Sequence, residues 1–142
     1  MVTTRHHELI FPMLASPASI GVARTLTDAR LRNWDNSSIL DDALLIVTEL
    51  VTNAAEITPG KKIVFQLSRD AGGIIIAVWD SSILMPEPKP VVELTLEDLD
   101  LSPENFDNNG GWGLPLVEAL SASCGVTRDP KGGKWVWAHL TP

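Results

Sequence analysis

Two pairs of short branched-apolar runs, each joined by a turn too short for a crossover, constrain this chain more than any other feature. Residues 63–69 and 74–80 are separated only by Asp70-Ala71-Gly72-Gly73, and residues 126–129 and 134–140 only by Pro130-Lys131-Gly132-Gly133. Runs rich in Val and Ile, bounded by Gly and Pro clusters, read as strands. Antiparallel neighbours need only a tight turn, whereas parallel neighbours need a crossover of a dozen residues or more. Both pairs are therefore predicted to be hairpins, and a doubly wound parallel sheet is disfavoured.

Helical periodicity fills the space between them. Residues 6–13 read as a further strand, after which Ser16-Pro17 opens a helix with proline in the tolerated first turn. Its apolar stripe is Ile20, Ala23, Leu26, Ala29 or Arg30, and Leu31, and it is expected to stop near Trp34. Ser37 or Ser38 is then placed to cap a second helix, with Asp41 three residues after Ser38 in capping-box style. That helix runs to about Ile57, where Pro59-Gly60 ends it, and its buried face is Leu40, Leu44, Val47, Val51 and Ala54. Residues 113–124 read as a third helix, with Pro115 in its first turn. Between 81 and 110 lie Pro86, Pro88, Pro90 and Pro103, with room for one short helix around 94–101. A connection of that length in a compact domain is usually a functional lid or disordered. The order predicts an α+β fold: a two-layer α/β sandwich whose sheet is mixed, mainly antiparallel, with helices on one face. At 142 residues and 44% hydrophobic content, residues 1–142 are expected to form one domain, with the lid at about 81–112.

Charge narrows the partners. Eleven Lys and Arg against eighteen Asp and Glu leave a net charge of -7, which argues against nonspecific adhesion to nucleic acid or anionic membrane. Residues 83–110 hold Glu87, Glu93, Glu97, Asp98, Asp100, Glu104 and Asp107 against Lys89 alone, so nearly all of the excess sits in the expected lid. The single cysteine, Cys124, closes no intramolecular disulfide and reads as a small core residue near a helix end. With no signal-like start and no membrane-length apolar run, the cytoplasm is the expected location. A Walker A loop and a protein-kinase catalytic loop are both missing, and the neighbours His6, His7 and Glu8 point alternately on a strand, a poor metal set.

Three separated segments carry candidate chemistry. In Glu49-Leu50-Val51-Thr52-Asn53-Ala54, Glu49 and Asn53 are four apart and project from one helix face, which is not the apolar face. Taken alone, such a pair is commonplace on solvated helices. In Val78-Trp79-Asp80 a carboxylate ends an apolar strand. A buried aspartate there can accept a hydrogen bond from the exocyclic amine of adenine, whereas the carbonyl at the same edge of guanine repels it. An ordinary turn-forming aspartate fits the position equally well. In Gly110-Gly111-Trp112-Gly113-Leu114, glycines enter a helix, where backbone amides and the helix dipole can meet a phosphate; a glycine cluster that simply ends a loop has the same composition.

In this order the segments resemble the N, G1 and G2 boxes of the GHKL ATPase superfamily, the Bergerat ATP-binding fold. ELVTNA at 49–54, VWDSS at 78–82, GGWGLPLVEALS at 110–121 and GGKWVWAHL at 132–140 are similar to its small anti-sigma factor serine/threonine kinases. The resemblance covers residue 10 onward. It implies that Asn53 holds Mg2+ and that Asp80 reads the adenine of ATP. It further implies that Gly111, Gly113 and Leu114 line the phosphate path, and that Glu49 is the catalytic base toward a serine hydroxyl. A sigma factor or an anti-anti-sigma-type protein is the implied partner, and a homodimer is an expectation because the family commonly dimerises. Sensor histidine kinases share the boxes but add a phosphoacceptor helix pair for which this chain lacks room.

The sequence also departs from that branch. Glu56 and Ile57 stand where relatives commonly carry a basic residue and a histidine, and Trp112 stands where they carry an arginine. Trp135 is read as taking the place of a threonine near the base. Trp135 and Trp137 share a strand face, expected to pack against helices. The same fold with an eroded catalytic apparatus, binding a protein without phosphorylating it, is the alternative function.

Overall fold

The two hairpins form as expected and are the centre of a larger sheet. The computed structural model describes residues 3–5, 7–82 and 114–142. The expected lid from residue 83 onward, its helix at 94–101, Trp112, and Gly110, Gly111 and Gly113 lie outside the described residues. The strands are β1 (Thr3–Arg5), β2 (Glu8–Leu14), β3 (Lys62–Asp70), β4 (Gly73–Asp80), β5 (Ser123–Arg128) and β6 (Lys134–Leu140), in the spatial order β1-β2-β3-β4-β6-β5. Every pairing among the described residues is antiparallel, in keeping with the expected mainly antiparallel sheet.

Alternation decides which side each residue faces. Phe65, Leu67, Ile74, Ile76, Val78, Val136 and Ala138 are buried on the side that carries the helices. Trp79 and Trp135, directly opposite one another across β4 and β6, face the other way. The expectation that Trp135 and Trp137 pack against helices is therefore overturned, because both share parity with Trp79 rather than with Val78. Their indole nitrogens are anchored locally, Trp135 Nε1 donating to Asp129 Oδ2 at 3.0 Å and Trp137 Nε1 to Thr127 Oγ1 at 3.1 Å.

The helices are α1 (Pro17–Asn33), α2 (Leu40–Ile57) and α3 (Leu114–Leu120). At the start of α1 the Ser16 amide donates to Ser19 Oγ at 3.0 Å, and Ser19 Oγ donates to the Leu14 carbonyl at 2.8 Å, which turns the chain off β2. The helix ends without glycine: Asp35 adopts φ 57 while the Asn36 amide returns to the Leu31 carbonyl and the Asp35 amide to the Arg32 carbonyl, a Schellman closure. Trp34, just before it, lies under both guanidinium groups of Arg30 and Arg69, 5.6 and 5.2 Å from the ring centre. Arg69 also donates to the Trp34 carbonyl, so the end of α1 is tied to β3.

Two helix boundaries differ from expectation. Ser37 and Ser38 do not cap α2 but lie in a short 3-10 turn (Ser37–Ile39), and α2 begins at Leu40 with Asp41 and Asp42 in its first turn. The turn places Ile39 and Leu40 in the core, and that burial outweighs a serine cap. The third helix stops at Leu120 instead of reaching Cys124. The Ala122 amide donates to the His139 carbonyl at 2.8 Å, so the sheet captures the chain and Cys124 becomes part of β5.

Helix α2 packs over β3, β4 and β6, α1 packs on α2, and α3 packs on α2, β5 and β6. The buried residues of α2 are Leu40, Ala43, Ile46, Val47, Leu50, Val51, Asn53 and Ala54, a wider face than the expected one, with Leu44 only half-buried. Arg24 of α1 spans to α2, donating to the Leu44 carbonyl at 3.0 Å and to Thr48 Oγ1 at 2.7 Å. Among the described residues, no helix is long and apolar enough to cross a membrane.

Candidate functional site

Asp80 ends β4 on the helix-facing side and is 1% exposed. The parity that buries Ile76 and Val78 carries the carboxylate in with them. Its Oδ1 accepts two hydrogen bonds, from the Ser82 amide at 2.9 Å and from Lys134 Nζ at 2.8 Å. Lys134 is the residue directly opposite on β6, and its side chain is 0% exposed, so the two form a buried cross-strand ion pair. Both recorded bonds fall on Oδ1; Oδ2 accepts none from the described residues, as suits an acceptor held for a ligand.

The turn before β6 enforces this pairing. Gly133 has φ +77, and a Cβ there would collide with the Asp80 carbonyl and the Trp79 ring, so only glycine lets β6 enter this close to the end of β4. Trp79 Nε1 donates to the Gly132 carbonyl at 2.9 Å and closes the turn from the other face. The position beside Asp80 is thus Lys134, and the assignment of Trp135 to it is corrected. An even count along β6 from the buried Val136, Ala138 and Leu140 leads to Lys134, while Trp135 lies on the odd face.

Asn53 is 7% exposed and belongs to the buried face of α2, which corrects its placement on a separate solvated face. Its amide makes no hydrogen bond among the described residues. Its polar atoms are not among the fully enclosed unpartnered ones, which among the described residues are Asn36 Oδ1 and His139 Nε2, so the Asn53 amide keeps an open edge. Glu49, one turn earlier, is half-buried. Burial, and secondarily the negative charge of Glu56 along the helix, push its carboxyl above the usual range. Glu49, Asn53 and Asp80 make no direct bonds to one another; the first two lie on α2 and Asp80 on β4, two elements that pack together. Leu114 is the first residue of α3, while Gly111 and Gly113 lie outside the described residues.

A family model described as a histidine kinase-like ATPase domain matches residues 13–140. The chain belongs to this family. Comparison with curated proteins returns no match. Glu49, Asn53, Asp80, Lys134 and the glycines all lie inside the matched span. Membership in the histidine kinase-like ATPases implies binding of ATP, generally with Mg2+. The donors fit that implication: Asn53 presents one unpartnered amide oxygen, and no cluster of three or more His, Cys, Asp or Glu residues forms a protein cage among the described residues. Mg2+ commonly keeps most of its shell as water and substrate phosphate, so a single amide oxygen suits it.

Cys124 takes no part in this site. It packs partly buried against the core, and burial, with a smaller contribution from Glu118, pushes its thiol up, against a weaker opposing hydrogen bond from Ser121. A thiol so placed is a poor nucleophile.

Proposed function

We propose that the chain is a cytoplasmic ATP-dependent regulator of the anti-sigma type, which phosphorylates a serine on a protein partner and controls transcription by partner switching. The partner would be a sigma factor or an anti-anti-sigma-type protein, with no direct contact to nucleic acid or membrane, and a homodimer is compatible with the reading. The observation that carries it is Asn53, a largely buried residue whose amide makes no hydrogen bond among the described residues, one turn after a half-buried glutamate on the helix that packs on β4. When bound, Mg-ATP supplies the phosphoryl group. Asn53 would hold the metal through its side-chain oxygen, and Asp80 Oδ2 would accept from the base. Glu49 would take the proton of the attacking hydroxyl, with the G2 glycines near Leu114 toward the phosphates.

Calorimetry tests the core of this reading. Wild type is expected to bind ADP more tightly with Mg2+ than without, and Asn53→Ala to lose that Mg2+ dependence while keeping metal-free binding. No binding of ATP, ADP or GTP under any condition overturns it.

The pH profile of ATP turnover tests the role of Glu49. Glu49 must be ionised to act as a base, and its carboxyl is raised, so turnover falls as pH drops through that raised value. Glu56→Gln removes the secondary cause, leaves burial in place, and is expected to move the acidic limb to lower pH without moving the alkaline one. Turnover that persists in Glu49→Gln would remove Glu49 from the base role.

A second reading, a binding module on the same fold without phosphotransfer, is favoured by two observations: Glu56 in place of a basic residue and a lysine already bonded to Asp80. It predicts partner capture without phosphoserine, and detection of phosphoserine dependent on Asn53 excludes it.

A further inference from the structure

We propose that Lys134 is a specificity-determining residue, a built-in counter-ion that lets the site take purines bearing either an amine or a carbonyl at position 6. The proposal rests on the nucleotide-binding reading and goes beyond it in the base that is accepted. A lone buried carboxylate selects strongly: an amine donates to it, while a carbonyl oxygen brought to the same place meets an uncompensated negative charge in a low-dielectric interior. Asp80 is not such a carboxylate. Lys134 Nζ lies 2.8 Å from its Oδ1, both side chains are essentially without solvent exposure, and the strand register holds them face to face.

Two consequences follow for a base at Oδ2. The Asp80–Lys134 pair itself carries no net charge, so a carbonyl at position 6 no longer faces a lone anion. The acceptor itself survives, because Lys134 and the Ser82 amide both bond Oδ1. An adenine amine can donate to Oδ2, and so can the N1–H of a 6-oxopurine, whose neighbouring carbonyl then lies toward the positive end of the pair. Lys134 acts through Asp80 and need not touch the base. Gly133 and the Trp79–Gly132 bond hold the start of β6 in place, so the pair is a fixed part of the wall.

ADP and inosine diphosphate differ only by the exchange of the 6-amine for a carbonyl and the proton this places on N1, and their affinity ratio, measured by calorimetry with Mg2+, isolates this effect from folding and phosphate contacts. Wild type is expected to prefer ADP by less than about tenfold, and Lys134→Gln to widen the preference beyond about a hundredfold, because Gln keeps a donor to Asp80 but removes the charge. Lys134→Arg, which keeps the charge, should retain a narrow ratio. A wild-type preference for ADP above about a hundredfold overturns the inference while leaving the nucleotide-binding reading intact, and so does a ratio unchanged in Lys134→Gln. Absence of binding by both nucleotides in wild type overturns the two together. Should Lys134→Gln fail to fold, the wild-type and Lys134→Arg ratios still decide.

Discussion

Replacing Asp80 with alanine is expected to destabilise the fold by about 3–5 kcal/mol, the range for removing one partner of a buried ion pair. The size comes from what is left behind. Lys134 is 0% exposed, and without the carboxylate its ammonium sits on the core side of β6 having lost the 2.8 Å ion pair to Asp80. The loss should appear as a lower urea midpoint with an unchanged slope, the signature of lost stability rather than of an altered denatured state. Restoring neutrality by a second change, Asp80→Ala with Lys134→Met, is expected to recover most of the loss, since apolar replacement of a buried pair is often neutral or stabilising. The double-mutant cycle then gives a coupling energy well above the scatter for independent sites, about 0.5 kcal/mol. Additive effects of the two single changes would show that the pair contributes little to the native state.

Phe65→Ala is expected to cost about 3–5 kcal/mol for a second reason, a cavity at the centre of the sheet. Phe65 is 0% exposed on β3, directly between Phe11 of β2 and Val78 of β4. Truncation removes the largest fully buried side chain among the described residues from a place where both neighbours are held by strand hydrogen bonds, so collapse around the void is limited. The same thermal or urea measurement checks it, and Phe65→Leu, which keeps most of the volume, should cost clearly less. Because Val78 is two residues from Asp80 on the same face, Phe65→Ala is also a control. It should lower stability without changing the ADP to inosine diphosphate ratio, whereas changes at Lys134 should move the ratio.

Much of the framework was legible because it depends on local signals. The turns at 70–73 and 130–133 announce hairpins, Ser16-Pro17 announces the start of α1, and Pro59-Gly60 the end of α2, all of which the structure bears out. Where the reading missed, a nonlocal interaction had overridden a local preference. Ser37 and Ser38 are good caps, yet burial of Ile39 and Leu40 shapes that turn instead. The apolar period of the third helix continues past Leu120, yet pairing of residues 123–128 with β6 ends it. Asn53 looks solvated on a helical wheel whose apolar face is drawn narrowly; in the fold the buried face of α2 is wider and includes it.

For the site, the sequence alone determined the residue types, their order and their membership in a histidine kinase-like ATPase domain, because the boxes at 49–54, 78–82 and 110–121 are contiguous and local. The structure alone decided which residue stands beside Asp80. Register is a property of two strands, and a slip of one residue exchanges every side chain between faces. Strand parity from Val136 and Ala138 already hinted at Lys134, but only the pairing Asp80↔Lys134 turns a lone acidic strand end into a neutral buried pair. The acidic excess at 83–110 is written in the sequence; the compensation of the one buried carboxylate in the site is written in the sheet.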